Sequence, residues 1–254
     1  MRIDDLHDKK VLVTGASAGI GAAVAQGFAE QGARVALHCF RGAVAAEQTA
    51  QAMRDRGGVA ITVTGDLAMR GEPRRVVDEA AARLEGLDVL VNNAGAMVAR
   101  RAILEADDTL LDEVFDLNSR AVLAACRAAV PHMTKAGGGA IINVGSIAAL
   151  DGGGPGSGLY AAAKGYVHTL TRHLARDLAA RNIRVNAVSP GVVRTAFHAQ
   201  TPPERMAAMQ AAIPMGRVGV PGDCVGAFLF LASAQMSGYV TGQILHVNGG
   251  QAMP

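Results

Sequence analysis

Short apolar runs alternate along this chain with longer stretches in which apolar residues return every three or four positions. The runs are Val11–Val13, Arg34–Cys39, Val59–Val63, Leu87–Val91, Ala140–Gly145, Arg184–Val188 and Gln243–Val247, and they predict strands. The stretches with helical spacing are Ala22–Gln31, about Val44–Arg56, Pro73–Leu84, a long one over Asp107–Lys135, one beginning near Tyr160, and 221–234. Regular alternation with short connections predicts an α/β fold, a doubly wound parallel sheet of about seven strands with helices on both faces. No linker, composition break or longer repeat divides the chain, so one domain over 1–254 is expected.

The first strand runs directly into Thr14-Gly15-Ala16-Ser17-Ala18-Gly19-Ile20-Gly21, and a helix and a second strand follow. In a strand–turn–helix–strand unit of about 30 residues, such glycines signal dinucleotide binding. They let the backbone come close to a pyrophosphate, while the helix N-terminus offers free N–H groups and a positive dipole end. Here the spacing is G-x-x-x-G-x-G rather than G-x-G-x-x-G.

A second stretch carries a different chemistry. Tyr160 and Lys164 are four residues apart and share a helix face that continues through Val167, Leu170, Leu174 and Leu178. A lysine at the head of an apolar stripe is costly unless its charge is paired or used. An ammonium beside a phenol lowers the tyrosine pKa from about 10, which makes Tyr160 a candidate proton donor. Ser146, fourteen residues upstream, would then hold a substrate oxygen. From this stretch alone, a core tyrosine with a snorkelling lysine fits equally well.

Composition and charge narrow the field. Charged residues make up 18% of the chain and the formal net charge is +2, with no tryptophan and no basic cluster, so neither nucleic acid nor an anionic membrane is expected as a partner. Cys39, Cys126 and Cys224 lack the spacing of a metal site or disulfide framework, and the histidines form no HExxH motif. Met1–Lys10 has no signal-peptide core, and no apolar run reaches the length of a membrane span, so a soluble cytoplasmic protein is expected.

The ordered set formed by the Thr14–Gly21 turn, Asp66, Asn92-Asn93-Ala94-Gly95, Asn118, Ser146, Tyr160-x-x-x-Lys164, Pro190-Gly191 with Thr195, and His246-Val247-Asn248-Gly249-Gly250 resembles the short-chain dehydrogenase/reductase family over nearly the whole length. The turn and the chain length resemble its compact branch. That resemblance implies a Rossmann-type fold and an oxidoreductase that moves hydride between a nicotinamide and a carbonyl or secondary alcohol. It implies Tyr160 as general acid or base, Ser146 as the group positioning the reacting oxygen, and Lys164 lowering the tyrosine pKa while holding the ribose hydroxyls. Asn118 would anchor a water in a proton relay.

The resemblance also places the cofactor. Gly15, Ser17, Ala18, Gly19, Ile20 and Gly21 would cradle the pyrophosphate. Asp66 and Leu67 would lie near the adenine, and Asn92, Ala94 and Gly95 beside the ribose and pyrophosphate. Pro190, Gly191, Val193 and Thr195 would frame the nicotinamide. At the end of the second strand an acidic residue would select NAD and an arginine NADP. This chain has His38, Cys39, Phe40 and Arg41 there, with no carboxylate and a guanidinium able to bond a phosphate, so NADP(H) is expected and NAD(H) is the alternative. Ala18 stands where many NADP-dependent relatives carry a basic residue.

Substrate choice is expected to lie with Ala96–Arg101, the glycine-rich Asp151–Gly158 loop and about 195–220, where Pro202-Pro203 opens a short helix. Met206, Met209 and Met215 read equally as adaptable surface or as core. The subfamily most resembled is that of the 3-oxoacyl-acyl-carrier-protein reductases, with Arg127 and Arg176 where those enzymes dock the carrier; sugar, polyol and xenobiotic carbonyl reductases share the same frame. The substrate is thus a small carbonyl or alcohol, or an acyl-carrier-linked one. The family resemblance further implies a homotetramer. A non-catalytic NADP-binding sensor is the contrasting reading, disfavoured because tyrosine and lysine are both present.

Overall fold

The structure, a computed structural model, describes residues 2–199 and 201–254. The described residues form a seven-stranded sheet of β1 (Lys10–Val13), β2 (Arg34–Cys39), β3 (Val59–Thr64), β4 (Val89–Asn92), β5 (Gly139–Val144), β6 (Ile183–Pro190) and β7 (Ile244–Val247). All neighbours pair in parallel, in the order β3-β2-β1-β4-β5-β6-β7. The order reverses between β1 and β4, and at such a switch point the carboxyl ends of the strands open a crevice.

The sheet separates two cores because successive strand residues face opposite ways. Val11 and Val13 point into one, shared with Phe28 of α1 (Gly19–Glu30), Met53 of α2 (Ala43–Arg54) and Phe228 of α9 (Pro221–Ala232). Leu12 points into the other, with Val76 of α3 (Glu72–Leu84), Ala125 of α5 (Ala121–Lys135) and Val167 of α7 (Gly158–Leu178). The remaining helices are α4 (Asp108–Phe115), α6 (Ala148–Asp151), α8 (Pro203–Ala211) and α10 (Ala234–Ser237). Inside the second layer a polar ladder crosses the sheet: the Asn92 amide donates to Asn143 at 2.9 Å, and the Asn143 amide donates to the Thr171 hydroxyl at 2.9 Å. Every amide in that ladder finds a partner, so it fixes the sheet-to-α7 register instead of weakening the core.

Several boundaries differ from the sequence pattern, and four of them have a local reason. The helix expected over Asp107–Lys135 is broken between α4 and α5 by a π-helical turn at Asp116–Arg120. There the Asn118 amide donates to the Val114 carbonyl at 2.9 Å and to the Ala96 carbonyl at 2.9 Å, an engagement periodicity cannot reveal. β4 begins at Val89 rather than Leu87, because the Asp88 carboxylate accepts the Lys10 amide at 2.8 Å and ties the strand's entry. β6 continues through Ser189 and Pro190, which pair with His246 and Val247 of β7. The helix beginning at Pro221 ends at Ala232; Ser233 turns extended and its hydroxyl accepts the Met236 amide at 3.0 Å, capping α10.

Candidate active site

The turn between β1 and α1 is shaped for a close neighbour. Gly15 and Gly19 have φ of +64° and +59°, in the left-handed region that glycine adopts freely. A Cβ on Gly15 would stand 2.9 Å from the Ala94 Cα, and one on Gly21 would strike the Gly15 carbonyl and the Asn93 amide. Asn93 stitches the ends of β1 and β4 together: its amide donates to the Thr14 and Gly15 carbonyls at 2.8 and 3.0 Å. The Thr14 hydroxyl returns the tie, accepting the Asn93 and Ala94 amides at 2.9 and 3.0 Å. At the head of α1, Ala18 supplies no side-chain cap and no acidic residue lies in the first turn. Its free N–H groups and the uncluttered backbone fit a dinucleotide pyrophosphate.

Behind the turn, His38 is 2% exposed. Its Nδ1 accepts the Gly15 amide at 3.2 Å and its Nε2 donates to the Gly65 carbonyl at 3.0 Å, so one neutral tautomer is fixed. Burial lowers its pKa, against an opposing pull from the Gly65 carbonyl. His38 was expected among the cofactor contacts. The structure instead turns its ring inward, where it braces the glycine turn.

Ser146, Tyr160 and Lys164 meet at the carboxyl end of β5. Ser146 follows that strand, and its hydroxyl accepts the Ala148 amide at 3.1 Å at the head of α6. Tyr160 lies in the first turn of α7, partly open to the cleft but deeply set in it. Burial pushes the Tyr160 phenol up to about 12, and a hydrogen bond with Ser146 pulls it partly back. Lys164 is 2% exposed and its ammonium donates to the Val144 carbonyl at 2.7 Å. Burial brings Lys164 down to about 8. Loss of water dominates both groups, with the Lys164 ammonium 5.6 Å from the Tyr160 ring centroid. Tyr160 is a phenol that keeps its proton at neutral pH.

Asn118, fully buried, works from below. Its Oδ1 accepts the Ala96 amide at 3.1 Å, and a Cβ on Gly95 would come within 2.7 Å of that oxygen and 3.4 Å of the Lys164 nitrogen. Asn118 and Lys164 thus converge on Gly95, and in this structure the Asn118 side chain is a clamp on the segment after β4.

One cleft of about 680 Å³ runs past these groups. Its walls include Gly15, Ala18, Gly19, Ile20, Gly21 and Gly95 at one end, Ser146, Tyr160 and Lys164 at the middle, and Pro190, Gly191, Val193 and Thr195 alongside. Ser17, Arg41, Asp66, Leu67, Asn92 and Ala94 do not line it. The Asn92 side chain is spent inside the sheet on Asn143 and, at 3.3 Å, Cys126, which leaves its backbone as the part able to run beside a ribose. Leu67 is buried, and the Asp66 carboxylate accepts the Ala68 amide at 3.0 Å. Arg41 is exposed beyond β2, its guanidinium 5.4 Å from the Phe40 ring centroid. The neighbouring Gly42 abuts Ser17, so Arg41 borders the glycine turn on its outer side. Thr14, Asn93, Met97, Arg100, Phe197, His198 and Arg205 were not singled out from sequence, although most lie in segments that were. The paired asparagines at the end of β4 were the one available signal for Asn93; Phe197, 5.4 Å from the Tyr160 ring, had none.

Comparison with known proteins agrees with this geometry. Residues 15–252 match a family model described as enoyl-(acyl carrier protein) reductase. The chain is 39% identical over 257 residues to 3beta-hydroxysteroid dehydrogenase 1 of Eggerthella lenta, covering 98% of this chain and 96% of that one. It is 36% identical over 245 residues to the 3-oxoacyl-[acyl-carrier-protein] reductase of Staphylococcus aureus, covering 96% and 98%. Among solved structures, an NADH-dependent reductase responsible for alginate metabolism superposes with a TM-score of 0.91 at 38% identity, over 99% of this chain and 100% of that one. A blue fluorescent protein from a metagenomic library, in complex with NADPH, does so with 0.92 at 35%, over 98% and 100%. With its switch-point cleft, glycine turn and tyrosine–lysine helix, the chain belongs to the short-chain dehydrogenase/reductase family of NAD(P)(H)-dependent oxidoreductases.

Proposed function

We propose that this protein is an NADP(H)-preferring reductase of carbonyl compounds, or dehydrogenase of the matching secondary alcohols, with Tyr160 as its proton donor and acceptor. The observation that carries the reading is that Ser146, Tyr160 and Lys164 stand together on the wall of the same cleft as the uncapped glycine turn. NADP(H), when bound, supplies or accepts the hydride. Gly15, Ala18, Gly19, Ile20 and Gly21 would hold its pyrophosphate, and Pro190, Gly191, Val193 and Thr195 would border its nicotinamide.

In the reducing direction Tyr160, protonated at neutral pH, gives its proton to the substrate oxygen while the Ser146 hydroxyl donates to that same oxygen. The phenolate left behind is stabilised by Ser146 and by the ammonium of Lys164. Asn118 holds Ala96 and Gly95 in place and so keeps the cleft floor fixed for Lys164. The preference for NADP rests on Arg41 and on the absence of a carboxylate at the end of β2, where Cys39 is buried. An NAD-linked sugar, polyol or alcohol dehydrogenase is the second reading, favoured by Ala18 in the glycine turn. Within the first reading, a 3-oxoacyl-acyl-carrier-protein reductase is one assignment, for which Arg127 and Arg176 are both exposed.

A single Rossmann domain over 1–254 would hold cofactor and substrate together, in a cytoplasmic homotetramer; no helix among the described residues is long and apolar enough to cross a membrane. The test is Tyr160→Phe: turnover of carbonyl substrates should collapse while NADPH still binds, and undiminished turnover would remove Tyr160 from its role.

A further inference from the structure

The end of the cleft away from the glycine turn is cationic. Arg100, on the segment after β4, and Arg205, on α8, line it together with His198. Both arginines are anchored on one loop: Arg100 donates to the Pro155 carbonyl at 3.2 Å, and Arg205 packs where a Cβ on Gly154 would stand 2.6 Å from its guanidinium. Among the described residues none of the three forms an ion pair; Arg205 and His198 are half-buried and Arg100 lies at the exposed rim. They also feel one another. Burial and the neighbouring Arg205 lower the pKa of Arg100, and burial, Arg100 and Arg205 lower that of His198. The cleft has one carboxylate on its wall, Asp151, and it accepts the Gly153 amide at 2.8 Å.

Like charges gathered without a counter-ion in a cleft are unfavourable unless an anion joins them. A planar guanidinium suits a carboxylate best, since two parallel N–H groups meet its two oxygens. The distance to the reacting group is short: ring contacts of 5.4 Å from Tyr160 to Phe197 and 5.2 Å from Phe197 to His198 connect the two ends of the substrate space.

We infer that Arg100 and Arg205 bind the carboxylate of a small substrate, a keto acid or hydroxy acid whose carbonyl or carbinol carbon lies at Tyr160. That the anion is substrate rests on the function proposed above; that the site takes a carboxylate does not. A carrier-linked acyl group fits the placement poorly, because the phosphate of its pantetheine arm lies the whole arm's length from the thioester carbonyl. An uncharged substrate would leave the cluster unpaired.

Cyclohexanecarboxylate and cyclohexanecarboxamide, alike in shape and different in charge, test this. Each is titrated into the full chain with NADPH present and followed by ligand-observed NMR, for the wild type, R100Q/R205Q and R100K/R205K. The carboxylate should bind at least about tenfold more tightly than the amide, the glutamine pair should erase that difference, and the lysine pair should retain part of it. Equal binding of the two compounds to the wild type, or an undiminished preference in R100Q/R205Q, would overturn the inference. No turnover is read, so a failed anion site leaves the Tyr160 result intact, and a failed Tyr160 result leaves the anion site intact.

Discussion

At the glycine-turn end of the cleft, the walls are strand ends tied by side-chain-to-backbone bonds, with Asn93, Thr14 and His38 each making two or more. At the other end the walls are three excursions: the segment after β4, the 151–158 loop and the residues around α8. There the ties are few, Gly152, Gly153 and Gly156 all have positive φ, and the apolar support is a small cluster of Val192, Ile213 and Val218. A pyrophosphate and two riboses are the same in every turnover, so their site gains from being fixed beforehand. Substrates differ between relatives, and loops on a rigid frame can change without disturbing it. The shared floor between the two regions is Ser146, Tyr160 and Lys164, which both ends need.

Five experiments sharpen or break that contrast. Tyr160→Phe strikes the floor and should lower kcat/KM by about a thousandfold, with the melting temperature little changed and NADPH still bound; steady-state kinetics beside a fluorescence titration decide it. Gly21→Ala strikes the fixed end. Its Cβ meets the Gly15 carbonyl and the Asn93 amide, so a loss of about 1–3 kcal/mol in stability and a marked loss of NADPH affinity are expected by denaturant titration and fluorescence. Unchanged affinity would mean the turn is not tightly specified.

The floor also has a pH signature. Lys164 sits at about 8 in the folded chain, below its ordinary 10.5, so between those values the unfolded chain binds more protons and stability should rise with pH, by about 3 kcal/mol. Tyr160 acts oppositely: raised from 10 to about 12, it should make stability fall above pH 10. Lys164→Met should abolish the rise in a urea series across pH 8–12 and leave the fall above pH 10. Arg41→Ala touches the outer edge of the fixed end, and loss of a charge-assisted bond to phosphate should weaken NADPH about tenfold while NADH is unaffected. Equal NADPH and NADH affinity in the unmodified chain would favour the NAD reading. Gly152→Ala touches only the variable end. With φ of +77° and open space around it, the strain should cost about 1 kcal/mol, raising the substrate KM and leaving NADPH binding alone.

The same contrast explains what the sequence reveals. β2 follows Arg34–Cys39 residue for residue, and the glycine turn is legible because only glycine satisfies its sterics, which leaves a mark in the residue types themselves. Tyr160 and Lys164 are legible for their spacing. The direction of the tyrosine shift is not, because it depends on how completely the tertiary fold removes water from both groups. The inward turn of the His38 ring and the Asn92 amide is not legible either, because it depends on partners distant in the chain, Gly15 and Gly65 for one and Asn143 and Cys126 for the other. Arg100 and Arg205 are far apart in the chain and neither has a patterned neighbour; only the loop at 153–156 brings them to one wall.

The π-helical turn at Asp116–Arg120 adds a requirement of another kind. A wide turn holds one residue more than the regular helix on either side of it, and each residue of an α-helix turns the next by about 100°. Closing the turn by deleting one residue would give a smoother helix, yet it would swing Asn118 away from Ala96 and rotate α4 against α5. At this place the chain depends on how many residues it has as much as on which they are, so a deletion that favours the local helix would still dismantle the cleft floor.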